Sequence, residues 1–216
     1  MNKSRDFVSG LLYCIGTALS IPALVLIIIF SAKTGNALKV VSSTIYGASL
    51  FLLLLFSTLN IWLLLGEKGK RIFRKFNHIF IYIFIFATSM PLCLIGIKGA
   101  WGWSIFGVIL GLSILCIVFN SIWINYPRIL YSCIYFLLGS LILLPIHKLI
   151  FNLNIIDYPN SIFYLFFGGI LYTLSAIIYS TNIYKNKVLL KQIFNILVLS
   201  GIISHYIFIF RYILAI

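Results

Sequence analysis

A chain of 216 residues that is 62% hydrophobic and 9% charged, with a mean hydropathy of +1.15, carries more apolar surface than a soluble fold can enclose, since globular domains are roughly half apolar. The formal net charge of +13 raises nucleic acid as a partner. Yet the basic residues sit at the edges of apolar stretches, with no polar module to present them, so nucleic-acid binding is excluded and contact with anionic lipid headgroups is expected.

In chain order, the first apolar stretch, 8–30, follows Lys3 and Arg5 as a secretory leader would. It outruns the roughly 7–15 apolar residues of a cleavable segment, and is expected to remain as a span. Six more stretches follow at 40–65, 76–97, 103–123, 129–150, 161–181 and 190–214. Each is long enough, at about 1.5 Å per residue, to cross a hydrocarbon core of roughly 30 Å. A transmembrane strand needs alternating polarity, which Phe51-Leu-Leu-Leu-Leu-Phe56 lacks, and every span must satisfy its own backbone. The expected fold is an all-α integral membrane protein, a seven-transmembrane-helix bundle forming a single domain over 1–216 with no soluble part. Short connections make successive spans antiparallel neighbours.

Pro22, Pro91 and Pro145 lie inside spans and are expected to kink them, because each removes one helix hydrogen bond. Gly107-x-x-x-Gly111 and Gly168-Gly169 are expected to admit close helix approach. Cys14, Cys93, Cys116 and Cys133 are scattered through the spans without a Cys-x-x-Cys and read as small packing residues.

Lys and Arg set the orientation. Lys3, Arg5, Lys68, Lys70, Arg71, Arg74, Lys75, Arg128, Lys185, Lys187 and Lys191 fall on one side, and Lys33, Lys39, Lys98, Lys148 and Arg211 on the other. The N-terminus is therefore expected in the cytoplasm, the C-terminus outside, and the protein in the plasma (inner) membrane.

The three acids, Asp6, Glu67 and Asp157, all fall near the N-terminus or in connections. A coupled transporter or a paired-carboxylate enzyme would place carboxylates within the membrane. The informative polar residues gather at the basic side instead: Ser57 and Asn60 on span two, Asn77 and His78 at the start of span three, and Lys191 and Asn195 at the start of span seven. Positions 57 and 61, like 191 and 195, are four apart and share a helix face.

The segments Ile45-Tyr-Gly-Ala-Ser-Leu50, Ser57-Thr-Leu59, Gly99-Ala-Trp-Gly-Trp103, Leu137-Leu-Gly139, Gly168-Gly-Ile-Leu-Tyr-Thr173 and Val198-Leu-Ser-Gly201 with His205 resemble the hemolysin III branch of the progestin and adipoQ receptor (adiponectin receptor-like) superfamily, related to the alkaline ceramidases. The resemblance implies a zinc site built from Ser-x-x-x-His on span two, Asp-His at span three and His-x-x-x-His on span seven, suited to hydrolysing a lipid amide. Here those positions are Ser57, Ile61, Asn77, Lys191 and Asn195, with His78 retained. The family's N-terminal Glu and Thr-His become Asp6 and Leu12-Tyr13.

Isoleucine cannot ligate, amides are poor zinc ligands and an ammonium repels a cation, so no metal is expected. His78 reads as a neutral structural residue, His147 as interfacial, and His205 as belonging near the opposite leaflet, about 21 Å from Lys191 along the helix. Zinc with an aspartate would total +1, the charge Lys191 supplies alone. Lys191 is therefore a candidate fixed cation held by Ser57, Asn60, Asn77 and Asn195, set against the reading that it snorkels to the headgroups.

The expected function is that of a non-catalytic, lipid-binding or membrane-homeostasis protein with a degenerate zinc site, its ligand a fatty acid or sphingolipid-like molecule. Sealing of the cavity by Phe73, Phe76 and Phe80 would count against it. The alternatives are a pore-forming hemolytic protein and a metal-dependent, ceramidase-like lipid amide hydrolase. The oligomeric state is not legible.

Overall fold

The computed structural model describes residues 3–63, 66–122, 127–144, 146–152, 160–181 and 188–214. The helices are α1 (Lys3–Lys33), α2 (Ala37–Trp62), α3 (Glu67–Pro91), α4 (Gly99–Ile122), α5 (Arg128–Ser140), α6 (Ile146–Asn152), α7 (Ser161–Ser180) and α8 (Val188–Phe208). α3 and α8 each run on into a π-helical turn, Leu92–Ile97 and Ile209–Ile213, and a 3₁₀ turn, Leu141–Leu143, follows α5. Among the described residues there is no strand. The protein is an all-α membrane bundle, and six of its helices are individually long and apolar enough to cross a bilayer.

α1 packs on α2, α2 on α3, α3 on α4, and α7 on α8, while α8 closes back on α1 and α5 packs on α7. At the first turn, Gly35 takes a positive φ of 66°, which a residue without Cβ adopts at no steric cost. Asn36 then caps α2, its Oδ1 accepting from the amides of Leu38 at 2.9 Å and Lys39 at 3.4 Å.

The span expected at 129–150 is broken: α5 and α6 are long and apolar enough to cross a bilayer only as a pair, bent by 48°. Pro145 lies outside the described residues. The 3₁₀ turn tightens the chain, and Asn152 anchors the far piece by donating its Nδ2 to the carbonyls of Gly96 at 2.9 Å and Ile97 at 2.8 Å. Those carbonyls end the π turn, where helix acceptors lack internal partners. After Pro91 α3 gives way directly to the π turn, closed by Lys98 N donating to Cys93 O at 3.0 Å, and the two run on as one span. Pro22 does not interrupt α1, which continues to Lys33.

The core joins Tyr46, Leu50, Phe84, Leu92, Ile109, Phe208 and Ile213 across the helices. Bulky side chains such as Leu19, Leu115 and Ile122 are exposed on the outside, as a lipid-facing surface requires. Trp62 near one end of the bundle and Trp101 and Trp103 near the other are also exposed, the placement of an interfacial aromatic belt. Gly107 and Gly111 face outward with no neighbour for an added Cβ, so the expected close approach there is absent. It occurs at Gly168, which packs against the His205 ring, and at Gly102, which packs against the Cys93 carbonyl. The four cysteines are free thiols.

Candidate functional site

The helices line a partly open cavity of about 2070 Å³. Ser57, Asn60, Ile61, Asn77, His78, Lys191 and Asn195 all lie on its wall, so the two four-residue spacings on α2 and α8 deliver their side chains to one space. Asn77 and His78 contribute from the middle of α3 rather than its start, because the helix begins already at Glu67.

Neighbouring polar groups are satisfied by each other. The Ser57 hydroxyl donates to Asn77 Oδ1 at 2.8 Å, tying α2 to α3. Asn195, 5% exposed, accepts from the Tyr13 hydroxyl of α1 at 3.3 Å. His78 is buried, with Nδ1 2.6 Å from the Tyr135 hydroxyl and its ring stacked on Tyr131 at 4.1 Å and 7°. A buried imidazole gripped by two tyrosines is a helix-locking element, joining α3 to α5.

Lys191 is half-buried and reaches the cavity. The hydrogen bonds expected to it from Ser57, Asn60, Asn77 and Asn195 do not form. Ser57 and Asn77 bind one another, Asn195 binds Tyr13, and Lys191 has no hydrogen-bond partner among the described residues. Asn60 also lines the cavity without such a partner.

The donor set at the implied zinc positions does not fit a metal. Ile61 offers no lone pair, Lys191 offers a positive charge, and the Asn77 and Asn195 oxygens already accept hydrogen bonds. Among the described residues no group of three or more His, Cys, Asp or Glu side chains comes together. The Asp6 side chain lies outside the description, as do Asp157, Lys185 and Lys187.

Phe73, Phe76 and Phe80 do not seal the space. They gather around Phe56, with Phe80 stacked on it at 4.3 Å, and none of them lines the cavity. His205 is not isolated from the site. It lies on the wall of the same cavity, with Nε2 3.2 Å from Leu165 O and its ring edge-on to Tyr172 at 5.1 Å. The cavity therefore extends from Lys191 well along α8. His147 is exposed on α6.

Sequence reasoning did not assign the tyrosines that organise the wall, Tyr13, Tyr131, Tyr135 and Tyr179. The spacing of 131 and 135 marks one helix face, but tyrosines are too common in this chain for that to single them out. Nor did it assign Lys70, Arg74 and Arg128 to the cavity rather than to the headgroup layer.

A helical bundle with a cavity between its helices, polar at its basic end and apolar beyond, defines the class: a multi-pass α-helical membrane protein organised around an amphipathic, partly open space. The family model described as Haemolysin-III related matches residues 1–206, and the chain belongs to that family. It is 35% identical over 175 residues to Hemolysin-3 of Bacillus cereus, covering 81% of this chain and 78% of the relative. It is 34% identical over 175 residues to the Hemolysin-3 homolog of Bacillus subtilis (strain 168), covering 81% and 80%.

Proposed function

We propose that this Haemolysin-III related protein binds a membrane lipid non-catalytically in its central cavity and acts in sensing lipid or maintaining the membrane, in the plasma (inner) membrane. The observation that carries the reading is the cavity itself, about 2070 Å³, with Lys191 standing unpaired among the described residues on its wall. Its deeper walls are apolar, including Leu53, Leu92, Ile109 and Ile202, and suit an acyl chain. The ammonium stands where the family resemblance implies a metal, and so supplies binding charge without a Lewis acid. A fatty acid or sphingolipid-like molecule has the required amphipathic form.

The test is native mass spectrometry of gently solubilised protein, comparing wild type with Gly169→Phe. Gly169 lines the cavity, and a Cβ there meets nothing within 4 Å, so phenylalanine projects into the lipid's path without disrupting the helix. Wild type is expected to retain lipid and the variant to lose it. Absence of lipid from both, including after incubation with a lipid extract, would contradict the reading.

The relatives' printed name, Hemolysin-3, favours pore formation as a second reading. Dye release from liposomes at low protein density separates the two, since a lipid binder leaves the vesicles sealed. A ceramidase-like amide hydrolase would need ligands other than those at the implied positions, and turnover abolished by chelation would establish it.

A further inference from the structure

The basic residues at one end of the bundle are not only a signature of membrane orientation. Lys70, Arg71, Arg74 and Lys75 from α3, Arg128 from α5 and Lys191 from α8 all line the same cavity, and Glu67 is the one acid among the described lining residues. An excess of Lys and Arg at a membrane edge explains their presence on that side. It does not explain why three helices direct them to one mouth, since long cationic side chains relieve mutual repulsion by spreading into the headgroup layer.

Some of these groups are also held in place. Lys75 Nζ donates to Ser121 O at 2.7 Å, and the Asn120 amide donates to the Lys75 carbonyl at 3.4 Å. The Arg128 guanidinium lies over the Tyr179 ring at 5.4 Å. Fixed cations beside a low-dielectric cavity focus a positive potential and favour a counter-anion.

We infer that this mouth is a head-group site for an amphiphile bearing a phosphate ester, whose acyl chain occupies the apolar cavity beyond. The inference rests on the lipid-binding reading and adds the class of head group. Six cations facing one carboxylate exceed what a single carboxylate ligand would offset. A phosphate monoester carries about −1.5 to −2 charges and three acceptor oxygens. The guanidinium fork matches such a group in two-point hydrogen bonding. Arg71, Arg74 and Arg128 supply forks, and Lys70 and Lys191 supply point charges.

The test measures binding of three probes to the full chain in a neutral detergent: oleoyl lysophosphatidic acid, monoolein with the same acyl chain but no charge, and inorganic phosphate. Lysophosphatidic acid is expected to bind at least about tenfold tighter than monoolein, the advantage of charge-assisted hydrogen bonds, and to weaken as sodium chloride is raised while monoolein does not. The double substitution Lys70→Gln with Arg74→Gln should remove most of that tenfold advantage and leave monoolein unchanged. Lys68→Gln, an exposed lysine of the same helix outside the cavity wall, should change neither.

Equal affinity for lysophosphatidic acid and monoolein would overturn the head-group assignment while leaving the lipid-binding reading intact. Failure of both lipids to bind would overturn both. Inorganic phosphate binding as tightly as lysophosphatidic acid would show a free-anion site and contradict the amphiphile. The salt dependence of wild type decides the matter even where the double variant folds poorly.

Discussion

The two ends of the bundle use the same residue types for opposite purposes. At the less basic end, Lys39 is 8% exposed and spends its ammonium on the Leu214 carbonyl at 3.0 Å, while Asn152 closes the end of the α3 π turn with two hydrogen bonds. At the basic end, Lys191 and Asn60 reach the cavity and form no such staples among the described residues. A lysine or asparagine in a membrane helix is costly to leave unpaired. The less basic end meets that cost with backbone acceptors; at the basic end Lys75 and Asn120 do the same, but Lys191 and Asn60 face a space where a ligand can meet it.

Substitutions should separate the two ends. The largest expected effect is structural: Gly102→Ala places a Cβ against the Cys93 carbonyl, an immovable backbone atom. It should lower the unfolding free energy in detergent by about 3 kcal/mol, the upper range for overpacking. Asn152→Leu removes both anchors of α6 and should cost about 2 kcal/mol, with faster proteolysis near the α5–α6 bend. Lys39→Met should cost about 1 kcal/mol, near the average for a hydrogen bond within a membrane bundle. At the basic end, Lys191→Met should leave the thermal midpoint unchanged but lower lipid retention. Unchanged retention as well as unchanged stability would show that Lys191 merely snorkels.

The fold was legible because it rests on hydropathy and length, which the membrane converts directly into spans. Six of the expected spans each fall largely on one helix and any π turn that continues it, but α3 starts at Glu67, ahead of the expected 76, and the stretch at 129–150 is broken into α5 and α6. The break falls between Leu143 and Ile146, at the Pro145 that the sequence marks as a kink, whereas the anchoring of α6 rests on Asn152 reaching Ile97, a contact across 55 residues that no local pattern encodes. The meeting of 57, 60, 61, 77, 78, 191 and 195 around one space followed from helix spacing and side-chain direction. What each polar group bonds to did not follow. Ser57 and Asn77 selecting each other, and Tyr13 selecting Asn195, are choices of packing among equivalent donors and acceptors. The same holds for glycines. Gly107-x-x-x-Gly111 has the spacing of a close helix contact but faces outward, whereas Gly102 has no motif and touches backbone.

In the proposed function, the positions implied for a metal hold a cation and neutral amides, and the cavity binds lipid without hydrolysing it. Elemental mass spectrometry of protein purified without a histidine tag tests this most directly. The expected result is no stoichiometric zinc, with lipid still retained. Close to one zinc per chain, lost on chelation together with a lipid-cleaving activity, would contradict it.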